Sequence, residues 1–204
     1  MKQVDKEKYN FKNYCQIGRW SSYWYQINEV LNLKPESVLE VGVGDKVLSD
    51  YLDNNTEIKY VSADIADDLN PDVICSVENL KFADNSFDVA CAFEVLEHLP
   101  FEKFNQSLLE LKRVSKIGVI ISIPHWGRHF SIDIWLPFFG RIKWQYKFRL
   151  LPIKHKFNGQ HYWEIGKSGY SLKKIKKTIN ASGILILKDY VPIEMPYHHF
   201  FILK

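Results

Sequence analysis

Glu40, Gly42 and Gly44, with Asp64 twenty residues beyond the second glycine, are the residues of this chain whose types and spacing first suggest chemistry. Glycine has no Cβ, so a ligand can lie against the backbone at Gly42 and Gly44. A helix-like pattern follows through Val47, Leu48, Tyr51 and Leu52 and brings free N–H groups to the same place. A carboxylate at Asp64 can accept two hydrogen bonds from the hydroxyls of a ribose. Together these features fit a nucleotide-like ligand. Imidazoles at His98, His125 and His161 add groups that exchange protons near neutral pH.

Such groups must be held by regular elements. Val38, Leu39 and Val41 read as a buried strand ending at the glycines. Ile58–Ala63 is a second strand that delivers Asp64, Val73–Cys75 a third, Phe87–Phe93 a fourth and Ile117–Ile123 a fifth. Residues 6–33 should hold one or two helices, with Trp20, Tyr23, Trp24, Ile27, Val30 and Leu31 as the apolar stripe; Lys34-Pro35 ends them. Phe104–Val114 is an amphipathic helix. Ser171 caps another through Leu172, Ile175 and Ile179, and Gly183 stops it. Ile184–Val191 and His198–Leu203 read as two closing strands. The alternation is that of an α/β protein. A dinucleotide is excluded, because G-x-G-x-x-G requires a glycine where Val47 stands.

The E-x-G-x-G pattern instead resembles the first motif of class I S-adenosylmethionine (SAM) dependent methyltransferases. The run DNSFDVACAFEVLEHL is similar to that family's fourth strand and the turn after it, and together the motifs cover residues 38–123. The resemblance implies a Rossmann-like fold with a seven-stranded, mostly parallel sheet in the order 3-2-1-4-5-7-6, an antiparallel last strand and helices on both faces. It implies SAM as methyl donor and S-adenosylhomocysteine as product. Carried onto this chain, Glu40, Gly42, Val43, Gly44, Asp64 and Ile65 hold the adenosine, Ser76 and Val77 flank the adenine, and Phe93, Glu94 and His98 line the methionine end. In related enzymes an N-terminal helix closes the site; Tyr9, Tyr14 and Arg19 stand there, the guanidinium within reach of a carboxylate. Two positions depart from the family. Lys46 replaces a small residue after the glycines, and Ser76 replaces an aspartate that holds the adenine amino group.

The chain of 204 residues suits one domain, with residues 1–34 as a helical cap and 124–165 as an inserted lid over the acceptor. Eleven of the forty residues 124–163 are aromatic, which argues for packing rather than disorder. Charge is divided along the sequence: residues 1–123 carry 13 Lys/Arg and 20 Asp/Glu, whereas residues 124–204 carry 14 and 4. A basic, aromatic second part favours an anionic acceptor; the lysines at 173, 174, 176 and 177 are equally well read as a solvated helix face. No run of about 18 apolar residues exists. The N-terminus MKQVDKEKYNFKNY lacks the apolar segment of a signal peptide. Cys15, Cys75 and Cys91 have neither disulfide parity nor metal spacing, and no metal is expected. These features predict a cytoplasmic protein, with peripheral contact at an anionic membrane surface through 126–150.

The acceptor follows by elimination. Phe93-Glu94-Val95-Leu96 stands where nucleic-acid amino methyltransferases carry (N/D)-P-P-(Y/F). A small-molecule or glycan acceptor, methylated at a hydroxyl and lipid- or nucleotide-linked, is therefore the reading, with His125 first and His161 second as the base. An RNA methyltransferase using the basic half, or an inactive SAM-fold binding protein, are the alternatives.

Overall fold

The computed structural model describes Tyr9 and residues 11–204. Helices α1 (Phe11–Tyr14) and α2 (Ile17–Asn32) precede β1 (Ser37–Val41), α3 (Val47–Asn55), β2 (Lys59–Asp64), β3 (Val73–Ile74) and β4 (Phe87–Phe93). There follow α4 (Phe104–Val114), β5 (Ser115–Pro124), β6 (Arg128–Leu136), β7 (Gly140–Phe148), α5 (Leu172–Ala181), β8 (Ile186–Tyr190) and β9 (His198–Leu203). The remaining residues of the expected N-terminal cap, 1–8 and 10, lie outside the described residues.

Seven strands form one sheet in the order β3-β2-β1-β4-β5-β9-β8, the order expected when β8 and β9 are counted sixth and seventh. β1 pairs in parallel with β2 and β4, whereas β9 runs antiparallel to both β5 and β8. The strands are apolar on both faces because helices cover both. Leu39, Ala90 and Ala92 point to the layer of α4 and α5, while Val38, Val89 and Cys91 point to that of α2 and α3. The strand order reverses between β1 and β4, and at such a switch point the loops diverge and leave a crevice at the carboxyl ends.

α2 is turned differently from its apolar stripe. Trp20 and Trp24 are exposed, while Ser22, Tyr23, Gln26, Glu29 and Val30 are buried. Polar partners explain the rotation: the Ser22 hydroxyl bonds His198 Nδ1 at 2.7 Å, and Glu29 accepts from Tyr190 and Lys188.

β6 and β7 form a separate two-stranded hairpin, registered from Arg128↔Phe148 to Leu136↔Gly140. Its three-residue turn places Phe138 at φ +68° and Gly140 at φ +77°. Both of its faces are largely exposed, with Trp135 at 74% and Phe139 at 82%. Its base is held by Lys147, whose ammonium donates to the carbonyls of His125 and Pro196, and by the Lys143–Glu194 ion pair.

Candidate cofactor cavity and acceptor wall

The turn after β1 is built for close approach. Gly42 has φ +88° and Gly44 φ +48°, and a Cβ on Gly42 would lie 2.3 Å from Val95 Cγ2. Asp64, at the tip of β2, accepts from the Val43 N–H at 3.0 Å through one oxygen and from the Ala66 N–H at 2.8 Å through the other. Each oxygen keeps a lone pair for a hydroxyl. Burial pushes the Asp64 carboxyl up, against the pull of these N–H groups. Burial also raises Glu40 to about 8, although the Tyr60 hydroxyl donates to it. Lys46 does not enter this space: it takes φ +64°, and its ammonium donates to the Asn70 carbonyl at 2.9 Å.

The N-terminal segment closes the other side. The Tyr9 ring lies 3.6 Å from where a Gly44 Cβ would be and meets Tyr14 edge-on, with centroids 4.8 Å apart. The Arg19 guanidinium covers Tyr14 at 4.4 Å, and the Tyr23 hydroxyl donates to Asp45. The cavity between them is open on one side and measures about 600 Å³, within the range of sites that hold a cofactor-sized ligand. Glu40, Gly42, Val43, Gly44, Asp64, Ile65, Ser76, Val77, Phe93, Glu94, His98, Tyr14 and Arg19 all line it. A cradle that a Cβ would fill, a carboxylate at the second strand tip and an aromatic and cationic cover fit SAM.

Beyond the glycines the wall becomes acidic and imidazole-rich. Glu94 adopts φ +56°, an uncommon conformation for glutamate that is held by its N–H on the Ser122 carbonyl at 3.0 Å and by the Ser122 hydroxyl on its carboxylate at 2.8 Å. Burial raises Glu94 to about 8, opposed by Arg19. Glu97 is fully buried and lifted well above the carboxylate range, first by burial and then by Glu94. His161 enters from the insertion, fixed by its N–H on Asn158 Oδ1 at 2.8 Å and by the next residue's N–H on the Glu97 carbonyl, also at 2.8 Å.

Two expectations need correction. His125 is not among the residues lining the cavity. Its ring stacks on His199 at 5.1 Å between centroids, Nδ1 lies 2.9 Å from the Nδ1 of that partner, and burial together with Lys147 holds it down to about 2. It keys the end of β5 to β9. The aromatic insertion, in turn, does not cover the acceptor end as a whole. From it only Gln160, His161 and Tyr162 reach the cavity, because the hairpin pairs with itself and stands away. Tyr197, Met195 and Glu97 also line the cavity without having been singled out; only Glu97 carried a signal, through its neighbours in VLEHL.

Comparison with known proteins agrees with this site. A family model described as a methyltransferase domain matches residues 39–123. No curated protein matches the sequence. Among solved structures, a SAM dependent methyltransferase from Aquifex aeolicus is similar at TM-score 0.56 and 17% identity, over 98% of each chain. The 1,6-didemethyltoxoflavin-N1-methyltransferase of Burkholderia thailandensis, solved with S-adenosylhomocysteine bound, is similar at TM-score 0.56 and 12% identity, covering 89% of this chain and 75% of that one. The glycopeptide N-methyltransferase MtfA is similar at TM-score 0.55 and 9% identity, over 87% of each chain.

Proposed function

We propose that this chain is a SAM-dependent methyltransferase that transfers a methyl group to a hydroxyl of a small-molecule or glycan acceptor, a reading supported by the methyltransferase-domain match over residues 39–123. The observation that carries this reading is the wall beyond the glycines, where Glu94, Glu97, His98, His161 and Tyr197 line the same cavity and offer polar groups to a hydroxylated acceptor. Neighbours of the same fold are described as acting on 1,6-didemethyltoxoflavin and on a glycopeptide, which is compatible with a small acceptor.

SAM supplies a methyl group already activated on a sulfonium. The chain's own residues bind and align. Asp64 holds the ribose hydroxyls, Ser76 and Val77 flank the adenine, and the Gly42–Gly44 backbone leaves room for the adenosine. Arg19 would pair with the methionine carboxylate, and Phe93 with Glu94 would bound the methionine chain. Tyr9 and Tyr14 exclude water, so alignment and desolvation provide much of the rate. His161, with Nδ1 held by Glu164 at 3.2 Å, presents Nε2 to the wall and takes the acceptor proton.

The hairpin supports a second contact. Trp135, Phe138 and Phe139 are exposed at the tip of the hairpin, where Arg141 is paired opposite Trp135 and Lys143 follows on the same strand, the combination that settles in an anionic headgroup layer. No helix among the described residues is long and apolar enough to cross a membrane. Methyl-labelled SAM incubated with hydroxylated sugars, nucleotide sugars and lipid-linked sugars tests the acceptor, with label expected on a sugar oxygen. Label found only on RNA overturns it. Sedimentation with phosphatidylglycerol vesicles tests the hairpin, where equal recovery with a Trp135→Ser, Phe138→Ser, Phe139→Ser variant rejects membrane contact.

A further inference from the structure

Glu97, His98 and His161 converge around a buried carboxylate that hydrogen bonding leaves unexplained. Glu97 and His98 sit in the single 3₁₀ turn Leu96–His98 after β4. Glu97 is 0% exposed, yet neither of its carboxylate oxygens has a hydrogen-bond partner. Its Oε1 lies 4.0 Å from His98 Nε2 and 3.9 Å from His161 Nε2, and one ligand atom from each of the three residues lies within 4.8 Å of the others.

Both imidazoles are turned the same way by a second layer of contacts. His98 Nδ1 lies 3.1 Å from the Gln160 carbonyl, which accepts only, so Nδ1 carries the proton. His161 Nδ1 lies 3.2 Å from Glu164 Oε1, and Burial notwithstanding, the hydrogen bonds from His161 and Tyr197 keep Glu164 below the usual carboxylate range. The His161 ring therefore turns its Nε2 lone pair toward Glu97, and His98 Nε2 lies at 4.0 Å from the same oxygen. The Glu97 carboxylate and the His161 lone pair repel unless something positive lies between them. A proton on Glu97 cannot serve, since it needs a partner within about 3.2 Å. A cation can: two ligands bound at about 2.1 Å are never more than about 4.2 Å apart; both Glu97–imidazole distances fall inside that span, and the two imidazoles, within 4.8 Å, draw in by up to about 0.6 Å for all three to ligate. Imidazoles whose far nitrogen is tied to a carbonyl or a carboxylate are the usual second layer of a metal site.

We propose that Glu97, His98 and His161 bind one divalent first-row transition-metal cation, such as Mn²⁺, Fe²⁺, Co²⁺ or Zn²⁺, in the wall of the methyl-transfer cavity. Two nitrogens and one oxygen suit these ions better than Mg²⁺ or Ca²⁺, which prefer oxygen. Three protein ligands leave coordination positions open toward the cavity. An acceptor hydroxyl bound there would lose its proton to water more readily. His161 would then act as a ligand, and as a base only in the metal-free protein. This last step rests on the hydroxyl-acceptor reading, whereas the binding of the cation does not.

The full chain, stripped with a chelator and dialysed, is titrated with Co²⁺ while visible absorption and calorimetry are followed; Mn²⁺ and Zn²⁺ are titrated by calorimetry alone. The expected result is one cation per chain with new Co²⁺ absorption bands, both lost in Glu97→Gln and in His161→Ala. Glu164→Gln should bind about 10- to 100-fold more weakly. Circular dichroism reports whether each variant remains folded. Equal Co²⁺ affinity in the parent and a folded Glu97→Gln or His161→Ala chain overturns the site, as does preference for Mg²⁺ over all three ions. Co²⁺ binding without methyl transfer to any hydroxyl sinks the acceptor reading and leaves the site standing.

Discussion

The cavity end of the sheet and the β6–β7 hairpin are built from similar residue types, aromatic and charged, and use them in opposite ways. At the cavity, acidic groups are buried or half-buried and, Glu97 apart, are held by named neighbours: Asp64 by two backbone N–H groups, Glu40 by Tyr60, Asp45 by Tyr23. On the hairpin the Arg141–Asp133 pair is joined at 2.6 and 2.5 Å, yet it stands in water, where such a pair contributes little. The lesson is that burial, rather than composition, separates groups arranged to act on a small ligand from groups arranged to meet a surface.

The comparison breaks most easily at Asp64. Asp64→Asn should weaken S-adenosylhomocysteine binding by about 100-fold in calorimetry, since it removes a charged acceptor from two hydroxyls. Replacing residues 130–146 by a short Gly-Ser link should leave that affinity within about threefold. A hairpin deletion that abolished binding would show the two regions to be one device. Next in size is Gly42→Ala. Its methyl meets Val95 at 2.3 Å from a backbone at φ +88°, and thermal unfolding should register a loss of about 2 kcal/mol.

Acidity sharpens the contrast. Glu40 is surrounded by Tyr60, Asp45, Asp64 and Cys91, and its pKa in the folded chain is about 8. Its ordinary value is about 4.3. The folded state therefore holds a proton that the unfolded state has released, and this contribution is full below about pH 4 and declines as pH rises toward 8. The ligand-free protein should melt several degrees lower at pH 8 than at pH 5, and Glu40→Gln should flatten that slope. Asp133→Asn should leave it unchanged. The smallest effect is expected at Lys46, where φ +64° favours glycine: Lys46→Gly should raise stability by about 0.5–1 kcal/mol without altering cofactor affinity.

Much of this was legible from sequence because the cofactor loop is encoded locally. Two glycines, a strand and a carboxylate twenty residues on are a compact signal, and the residues assigned to SAM by resemblance line a single cavity. The strand order came from the family resemblance and not from local pattern, whereas the capped α5 was equally readable, with Ser171 Oγ accepting the Lys174 N–H at 3.2 Å. What depended on distant pairing was not. His125 and His161 are alike in sequence, and only the registration of β5 against β9 stacks the first on His199. The buried face of α2 was hidden because its partners, His198, Lys188 and Tyr190, are supplied by the far end of the chain. The hairpin misled because eleven aromatic residues in forty suggest packing, whereas strands exposed on both faces carry no periodic sign of which side is outward. Glu164 is a carboxylate among apolar neighbours, and nothing local distinguishes it from a solvated one, whereas Glu97 was marked only by its place in VLEHL.

The placement of β9 between β5 and β8 has a consequence for how the molecule is made. Among the described residues, β8 finds its one strand partner in a segment synthesised after it. Until His198–Leu203 emerges from the ribosome, the fully buried stretch Val119–Ile123 borders an open edge with unpaired amides. Nascent chains halted before that point should be sticky and dependent on chaperones, and release of the last strand should switch them to protease resistance in a single step.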